Sequence, residues 1–183
     1  MITEYHRPRT LEDALALLAR PAPRTLPLGG GTVLNAPSDE AVAVVDLQNL
    51  GLATANVRGS TLEAGAALTL QALLDMDEIQ PALRAAIRHE ATANLRQAAT
   101  VAGSLVAAGG RSPFATAMLA LDTRLILLPG ETGLDLGDLF AIRETGLAGK
   151  LITRVSLSLK PTLAYEYVAR TPADLPIVCV AVA

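Results

Sequence analysis

Two glycine-rich segments place the strongest constraint on how this chain folds. The first glycine segment is Leu26-Pro-Leu-Gly-Gly-Gly-Thr32, and the second glycine segment is Thr100-Val-Ala-Gly-Ser-Leu105. Glycine lets the backbone adopt positive φ angles and lets its amide groups approach a ligand closely. Consecutive amides in such a turn form a concave site for an anion such as phosphate. The pair predicts two loops that hold a pyrophosphate from opposite sides, although two plain tight turns would use the same residues.

Neither segment fits the common nucleotide-binding patterns. The chain has no G-x-G-x-x-G that opens a helix and no G-x-x-x-x-G-K-[ST]. Gly31 is followed by Thr32, Val33 and Leu34, so no lysine stands where a P-loop would place one. The sequence therefore argues against a Rossmann fold and against a P-loop.

The composition indicates an aliphatic core in a chain of one domain, or of one domain and a fraction. Of the 183 residues, 51% are hydrophobic but only 3% are aromatic. The net charge of -3 does not indicate the basic surface that nucleic-acid-binding proteins have. The chain has no apolar run long enough for a membrane span and no recognisable targeting peptide, so we expect a cytoplasmic protein. Cys179 lies in an apolar run and is expected to pack as a small buried hydrophobe.

Local patterns predict an irregular succession of short helices and strands. Helix starts are indicated by four polar or proline positions: Thr10, Thr69, Pro81 and Ser112-Pro113. Apolar runs predict strands over residues 25–28, 42–47, 60–66, 124–128 and 151–159. Because no regular βαβ repeat is present, we predict an α+β fold. Its two lobes are expected to span residues 1–50 and 51–162, with a ligand cleft between them.

Seven stretches, taken in order, carry a resemblance that covers essentially the whole chain. They are Tyr5-His-Arg-Pro-Arg-Thr-Leu-Glu-Asp-Ala-Leu-Ala-Leu-Leu18, Leu28-Gly-Gly-Gly-Thr32, Val45-Asp-Leu47, Leu62-Glu-Ala-Gly-Ala-Ala-Leu-Thr69, Asn94-Leu-Arg-Gln-Ala-Ala-Thr-Val-Ala-Gly-Ser104, Leu119-Ala-Leu-Asp122 and Tyr165-Glu-Tyr-Val-Ala-Arg-Thr-Pro-Ala-Asp-Leu-Pro-Ile-Val178. The ordered set resembles the flavin-binding subunit or domain of the molybdenum hydroxylases, the family of xanthine dehydrogenase and aerobic carbon monoxide dehydrogenase. The resemblance implies a two-lobed FAD-binding fold of the PCMH and vanillyl-alcohol oxidase type.

The resemblance also implies a cofactor, a set of partners and a site. The cofactor would be FAD, and the partners a molybdopterin-binding large subunit and a [2Fe–2S] small subunit. The chain would pass electrons from the iron–sulfur clusters to NAD or another acceptor, while substrate would bind on the molybdenum subunit. No residue is assigned a catalytic or metal-binding role. The implied cofactor-binding residues lie in and beside the two glycine segments: Leu28, Gly29, Gly30, Gly31, Thr32, Val33, Thr100, Gly103, Ser104 and Val106.

The chain departs from the family pattern at several polar positions. Val33 stands where the family has a polar residue, Ala102 replaces a glycine, Ser104 replaces an asparagine or aspartate, and Pro113 replaces an aspartate. Each lost hydrogen bond removes about 0.5–1.5 kcal/mol, so we expect weak FAD binding. Two alternatives remain open at this point. One is a paralogue that keeps the fold without the flavin and serves as a structural or interaction subunit, and the other is an autonomous flavoprotein with its own substrate.

The last residues resemble the start of a further domain. In the family, the chain continues into a C-terminal domain, and residues 163–183 correspond to its beginning, so we expect a truncated form of that domain. Residues 177–182 form an apolar run that predicts a strand. A strand with unpaired edges invites pairing with another chain, which predicts self-association or assembly with larger subunits.

Overall fold

The computed structural model describes residues 1–34, 39–143, 145–171 and 174–183. Helices and strands alternate without a fixed repeat, and the α+β class predicted from the sequence is confirmed. In chain order the elements are β1 (Ile2–His6), α1 (Leu11–Leu18), β2 (Thr25–Leu28), β3 (Val42–Asp46), β4 (Ala55–Arg58), β5 (Thr61–Gly65), α2 (Leu70–Leu74), α3 (Pro81–Glu90), α4 (Ala93–Ala98), α5 (Val101–Ala107), α6 (Pro113–Ala120), β6 (Arg124–Leu128), β7 (Thr132–Asp135), α7 (Leu136–Ile142), β8 (Leu151–Ser158), β9 (Ala164–Val168) and β10 (Val178–Val182).

A small parallel sheet forms the N-terminal part of the protein, with strand order β1-β3-β2. Every residue of the central strand β3 is buried, as its unbroken apolar run predicts. The helix α1 covers this sheet and begins where the sequence predicts, because the Thr10 hydroxyl accepts a hydrogen bond from the Asp13 amide. Ala14 and Leu18 bury the inner face of α1 against Val45 and Leu47. The first glycine segment leaves this sheet at the end of β2.

A five-stranded antiparallel sheet forms the larger part, with strand order β4-β5-β8-β6-β7. Its longest strand, β8, shows the predicted alternation, since Val155 and Leu157 are buried while Arg154 and Ser156 are only half-buried. Helices α2, α3, α5 and α6 add their apolar faces to the same core, which includes the fully buried Phe114. Burial of this aliphatic surface is the main source of stability for the lobe.

The sequence predicts most helix starts correctly but misreads one segment. Thr69 and Ser112 each accept a hydrogen bond from the third residue beyond them, and Pro81 occupies the first helical position of α3. The second glycine segment, however, is the helix α5 with Thr100 as its N-cap, and the prediction of a second glycine loop is therefore wrong.

The strands β9 and β10 pair in an antiparallel ribbon apart from the two larger sheets. One face of the ribbon packs on α3 and α6, and there the His89 ring lies 3.8 Å from the Tyr167 ring. Cys179 is half-buried on that face, with Sγ 3.4 Å from the Thr116 hydroxyl, so the prediction of full burial is wrong. The opposite face exposes valines from both strands.

Candidate functional site

A cavity of about 790 Å³ lies between the two lobes. One wall comes from the end of α1, from β2 and from the first glycine segment. The antiparallel lobe contributes residues of α5 and of the connection between α7 and β8 to the lining. This inter-lobe cavity falls within the size range of sites for small molecules and cofactors.

The first glycine segment lines the cavity, and its backbone amides have no partner among the described residues. Among the described residues, no acceptor receives a hydrogen bond from the amides of residues 29–33. Gly31 has φ +69°, a left-handed conformation that glycine adopts without steric cost. Successive free amides in such a turn form a concave donor surface that suits an anionic ligand.

Close packing explains two of the three glycines. A Cβ on Gly30 would lie 1.6 Å from the carbonyl oxygen of Ala98, and a Cβ on Gly29 would lie 2.7 Å from the Thr100 hydroxyl oxygen. Any side chain at these positions would push the loop away from the junction between α4 and α5. The glycines therefore hold the first glycine segment against the second lobe, and this contact closes one side of the inter-lobe cavity.

The second glycine segment lines the same cavity, but its amides are already hydrogen-bonded. The Val101 and Ala102 amides donate to the carbonyls of Leu68 and Ala66, at 2.8 and 3.3 Å. The Gly103 amide donates to the Thr100 hydroxyl at 3.2 Å, and the Ser104 amide donates to the Thr100 carbonyl at 2.8 Å. The expectation that both segments offer free amides to a pyrophosphate therefore holds for the first segment alone.

Eight of the ten residues implied by the resemblance meet at the inter-lobe cavity: Gly29, Gly30, Gly31, Thr32, Val33, Thr100, Gly103 and Val106. Leu28 and Ser104 do not line it. Leu28 is paired with Asp46 inside the parallel sheet, and Ser104 lies within α5. Pro113, one of the positions that depart from the family pattern, is buried at the start of α6 and also lies outside the cavity.

A buried carboxylate fixes the strand ends next to the glycine loop. Asp46 is 2% exposed and accepts hydrogen bonds from the Tyr5 hydroxyl and from the Gln48 amide. The hydrogen bond to Asp46 raises the pKa of the Tyr5 phenol above its ordinary value. Because Leu28 pairs with Asp46 and accepts from the Leu47 amide at 3.1 Å, this network also anchors the point where the loop begins.

Sequence reasoning missed four basic residues that line the inter-lobe cavity: Arg20, Arg24, Arg143 and Lys150. The described lining residues include no aspartate, glutamate or histidine, so the cavity carries positive charge without a general base. Each of the four lies outside a regular element, where sequence patterns give no direction for a side chain. These four side chains line the same cavity only because of the way the two lobes pack.

Two of these cations are neutralised at the cavity rim. Arg20 Nη2 lies 2.7 Å from Glu4 Oε2, and Arg24 Nη1 lies 2.9 Å from Glu40 Oε1. Hydrogen bonds from His6 and Arg20 lower the pKa of the Glu4 carboxyl below its ordinary value. Glu4 therefore stays ionised and holds Arg20 in place over the neutral range.

Comparison with known proteins identifies the family to which this chain belongs. Residues 1–158 match the family described as the FAD binding domain in molybdopterin dehydrogenase. The chain belongs to this family, and FAD is its cofactor. It is 32% identical to the uncharacterized protein YgfM of Escherichia coli strain K12, over all of this chain and 70% of that protein. The resemblance seen in the sequence is thereby confirmed.

Solved structures of a CO dehydrogenase and of a quinoline oxidoreductase share the fold. The structure of reconstituted CO dehydrogenase from Oligotropha carboxidovorans includes a chain with TM-score 0.81 and 25% identity, over 97% of this chain and 68% of that one. Quinoline 2-oxidoreductase from Pseudomonas putida 86 gives TM-score 0.84 at 22% identity, over 97% of this chain and 67% of that one. These matches support the two-lobed PCMH-type architecture. In the described part of the chain, no helix is long and apolar enough to cross a membrane.

The residues of the inter-lobe cavity fit FAD. Its diphosphate is an anion, and the cavity offers free amides at residues 29–33 together with a positively charged lining. The close contact at Gly30 leaves space only for backbone at the point where the two lobes meet. Apolar side chains such as Leu18, Leu26 and Ile152 line much of the remaining wall and suit the uncharged parts of a dinucleotide.

Proposed function

We propose that this chain holds FAD in the inter-lobe cavity and serves as the electron-transfer component of a molybdenum hydroxylase. The observation that carries the proposal is that residues 29–33, whose amides have no partner among the described residues, line a cavity of dinucleotide size in a member of an FAD-binding family. When bound, FAD supplies the reversible acceptance of electrons. The chain itself supplies the binding, the orientation and the exclusion of water.

Each group at the site has a defined part in this proposal. The amides of residues 29–33 would donate hydrogen bonds to the diphosphate, and Gly31 would keep them pointing into the cavity. The Thr100 hydroxyl would hold α5 in place as part of the cavity lining. Because no carboxylate or imidazole lines the described cavity, proton transfer by the protein has no part in the proposal.

The proposed partners are those that the resemblance in the sequence implies. Electrons would arrive from a [2Fe–2S] small subunit, which receives them from a molybdopterin-binding large subunit, and would leave to NAD or another acceptor. CO dehydrogenase and quinoline 2-oxidoreductase, which share the fold, are named for different substrates, consistent with a substrate site on the molybdenum subunit. Within this chain, residues 1–50 and 51–162 would form the two FAD-binding lobes.

A second candidate is a subunit that keeps the fold but binds no flavin. Val33 favours this candidate, because its side chain lines the cavity and is 58% exposed but offers no hydrogen bond. In that case the protein would act through its surfaces alone. The two candidates differ in a property that can be measured directly, the presence of a flavin.

The visible absorption spectrum of the purified chain separates the two candidates. The first predicts flavin bands that survive gel filtration and FAD in the supernatant after denaturation. It also predicts that the reduced [2Fe–2S] subunit bleaches those bands without oxygen, and that a suitable acceptor restores them. A colourless protein that takes up no added FAD, alone or with the two proposed partner subunits, would favour the structural subunit.

A further inference from the structure

The part of the cavity lining that comes from the antiparallel lobe includes two cations without a carboxylate partner among the described residues. Arg143 follows α7 and Lys150 precedes β8, so both belong to one connection. Among the described residues, no carboxylate lies within 4.0 Å of either side chain, in contrast to Arg20 and Arg24. Within the described part of the chain, these two cations therefore line the same cavity as the free amides and have no carboxylate beside them.

The two cations are held differently. The Arg143 guanidinium lies 5.5 Å from the centroid of the Phe140 ring and donates hydrogen bonds to the carbonyls of Val106 and Ala108 at the end of α5. It is thus fixed to the cavity wall by uncharged acceptors. Lys150 is exposed, and its ammonium has no hydrogen-bond partner among the described residues. A flexible ammonium at the edge of a cavity can reach an anion that enters it.

A ligand anion must be neutralised when it leaves water for this cavity. Moving a charge away from water is costly unless an opposite charge compensates it. The amides of α5, which would have met the ligand from this side, are already bonded within the protein. Arg143 and Lys150 are the remaining groups on this part of the lining that can supply both donors and charge.

We propose that Lys150, supported by Arg143, forms the second side of the diphosphate site and gives the inter-lobe cavity its preference for anionic dinucleotides. This inference rests on the proposed function and deepens it, because it replaces a second amide loop by charged side chains. It predicts that the binding energy is concentrated on the diphosphate. ADP, which carries a diphosphate and no flavin ring, should therefore occupy the same site.

The test is the variant Lys150→Met, with Lys160→Met as its matched control. Lys160 is the other lysine of the chain, is exposed and does not line the cavity. Calorimetric titration of the full chain with FAD and with ADP should show Kd values about tenfold higher for Lys150→Met at low salt, and unchanged values for Lys160→Met. The dependence of Kd on salt should also become flatter in Lys150→Met, because one screened charge pair is lost.

The outcomes distinguish the inference about Lys150 from the proposed function, FAD binding. If Lys150→Met binds both ligands as the parent does, with the same salt dependence, the inference is overturned while FAD binding stands. If the parent binds ADP but not FAD, and Lys150→Met weakens ADP binding, the proposed function fails and the inference survives. A parent that binds FAD but not ADP contradicts the inference, and a parent that binds neither ligand overturns both.

Discussion

Three consecutive glycines serve two different purposes in this protein. Gly30 is small because the end of α4 leaves no space for a side chain, and Gly29 because the Thr100 side chain lies against it, whereas Gly31 is a glycine because its φ angle is +69°. The two requirements place five free amides on one wall of the cavity. From the sequence, the anion site could be predicted at this segment, but the packing against Ala98 could not, because it depends on a residue far along the chain.

Val33 is the residue where binding can be improved most simply. Its side chain lines the cavity and is exposed, so Val33→Thr would add a hydroxyl with little change of shape. One new hydrogen bond to the ligand should lower the Kd for FAD about three- to tenfold. Titration by quenching of flavin fluorescence measures the change.

Ser104 provides the comparison for Val33. The family pattern also predicts a gain from Ser104→Asn, but Ser104 lies within α5 and does not line the cavity. We therefore expect no tightening from that variant. A larger gain from Ser104→Asn than from Val33→Thr would mean that α5 rearranges when FAD binds.

At the scale of elements, α5 is a helix that local sequence patterns do not predict. The stretch from Val101 to Ala107 contains a glycine, a serine and two valines, residues with modest helix propensity, and no acidic residue in its first turn. Its helical form depends on hydrogen bonds from Val101 and Ala102 to carbonyls of a distant loop. These tertiary bonds override the local preference, and they also remove the amides that a glycine loop would have offered.

The N-cap of α5 can be tested against a neighbouring N-cap. Thr100 accepts a hydrogen bond from Gly103, whereas Thr92, at the start of α4, makes no such bond. Thr100→Ala should lower the free energy of unfolding by about 1 kcal/mol, and Thr92→Ala should change it little. Urea denaturation followed by circular dichroism gives both values. Equal losses in the two variants would show that the cap of α5 contributes nothing.

The β9–β10 ribbon has an exposed apolar face to which another chain could bind. Val178, Val180 and Val182 lie on its outer face and are each more than half exposed. An apolar face of this kind favours association, so we expect the isolated chain to form oligomers or to bind its larger partners through the ribbon. The sequence predicted the apolar strand correctly, but which of its side chains face solvent depends on the packing against α3 and α6.

A lysine in the centre of this face should prevent association. Val180→Lys should shift the isolated chain toward monomer in gel filtration with light scattering, because an unpaired charge would have to be buried in the interface. Val57→Lys, at an exposed position of β4, is the control and should leave the mass unchanged. A parent chain that is monomeric at all concentrations would contradict the prediction.

At the scale of the whole molecule, the binding site exists only because two lobes meet. The parallel sheet contributes the free amides, and the antiparallel lobe contributes α5, Arg143 and Lys150. The motifs of the sequence indicate which short segments come together, since eight of ten expected residues line one cavity. The basic residues escaped prediction because their position follows from the packing of the lobes and from no local pattern.

The most direct test of this account compares two glycines with the same left-handed backbone conformation. Gly31 has φ +69° and lines the cavity, while Gly59 has φ +62° and lies in the turn between β4 and β5. Alanine at either position costs about 1 kcal/mol of stability, so loss of fold affects both variants alike. The measurement is the Kd for FAD of the parent, Gly31→Ala and Gly59→Ala. The account predicts binding at least about tenfold weaker in Gly31→Ala and unchanged in Gly59→Ala, because only Gly31 shapes the row of free amides. Equal affinities in all three proteins would contradict it.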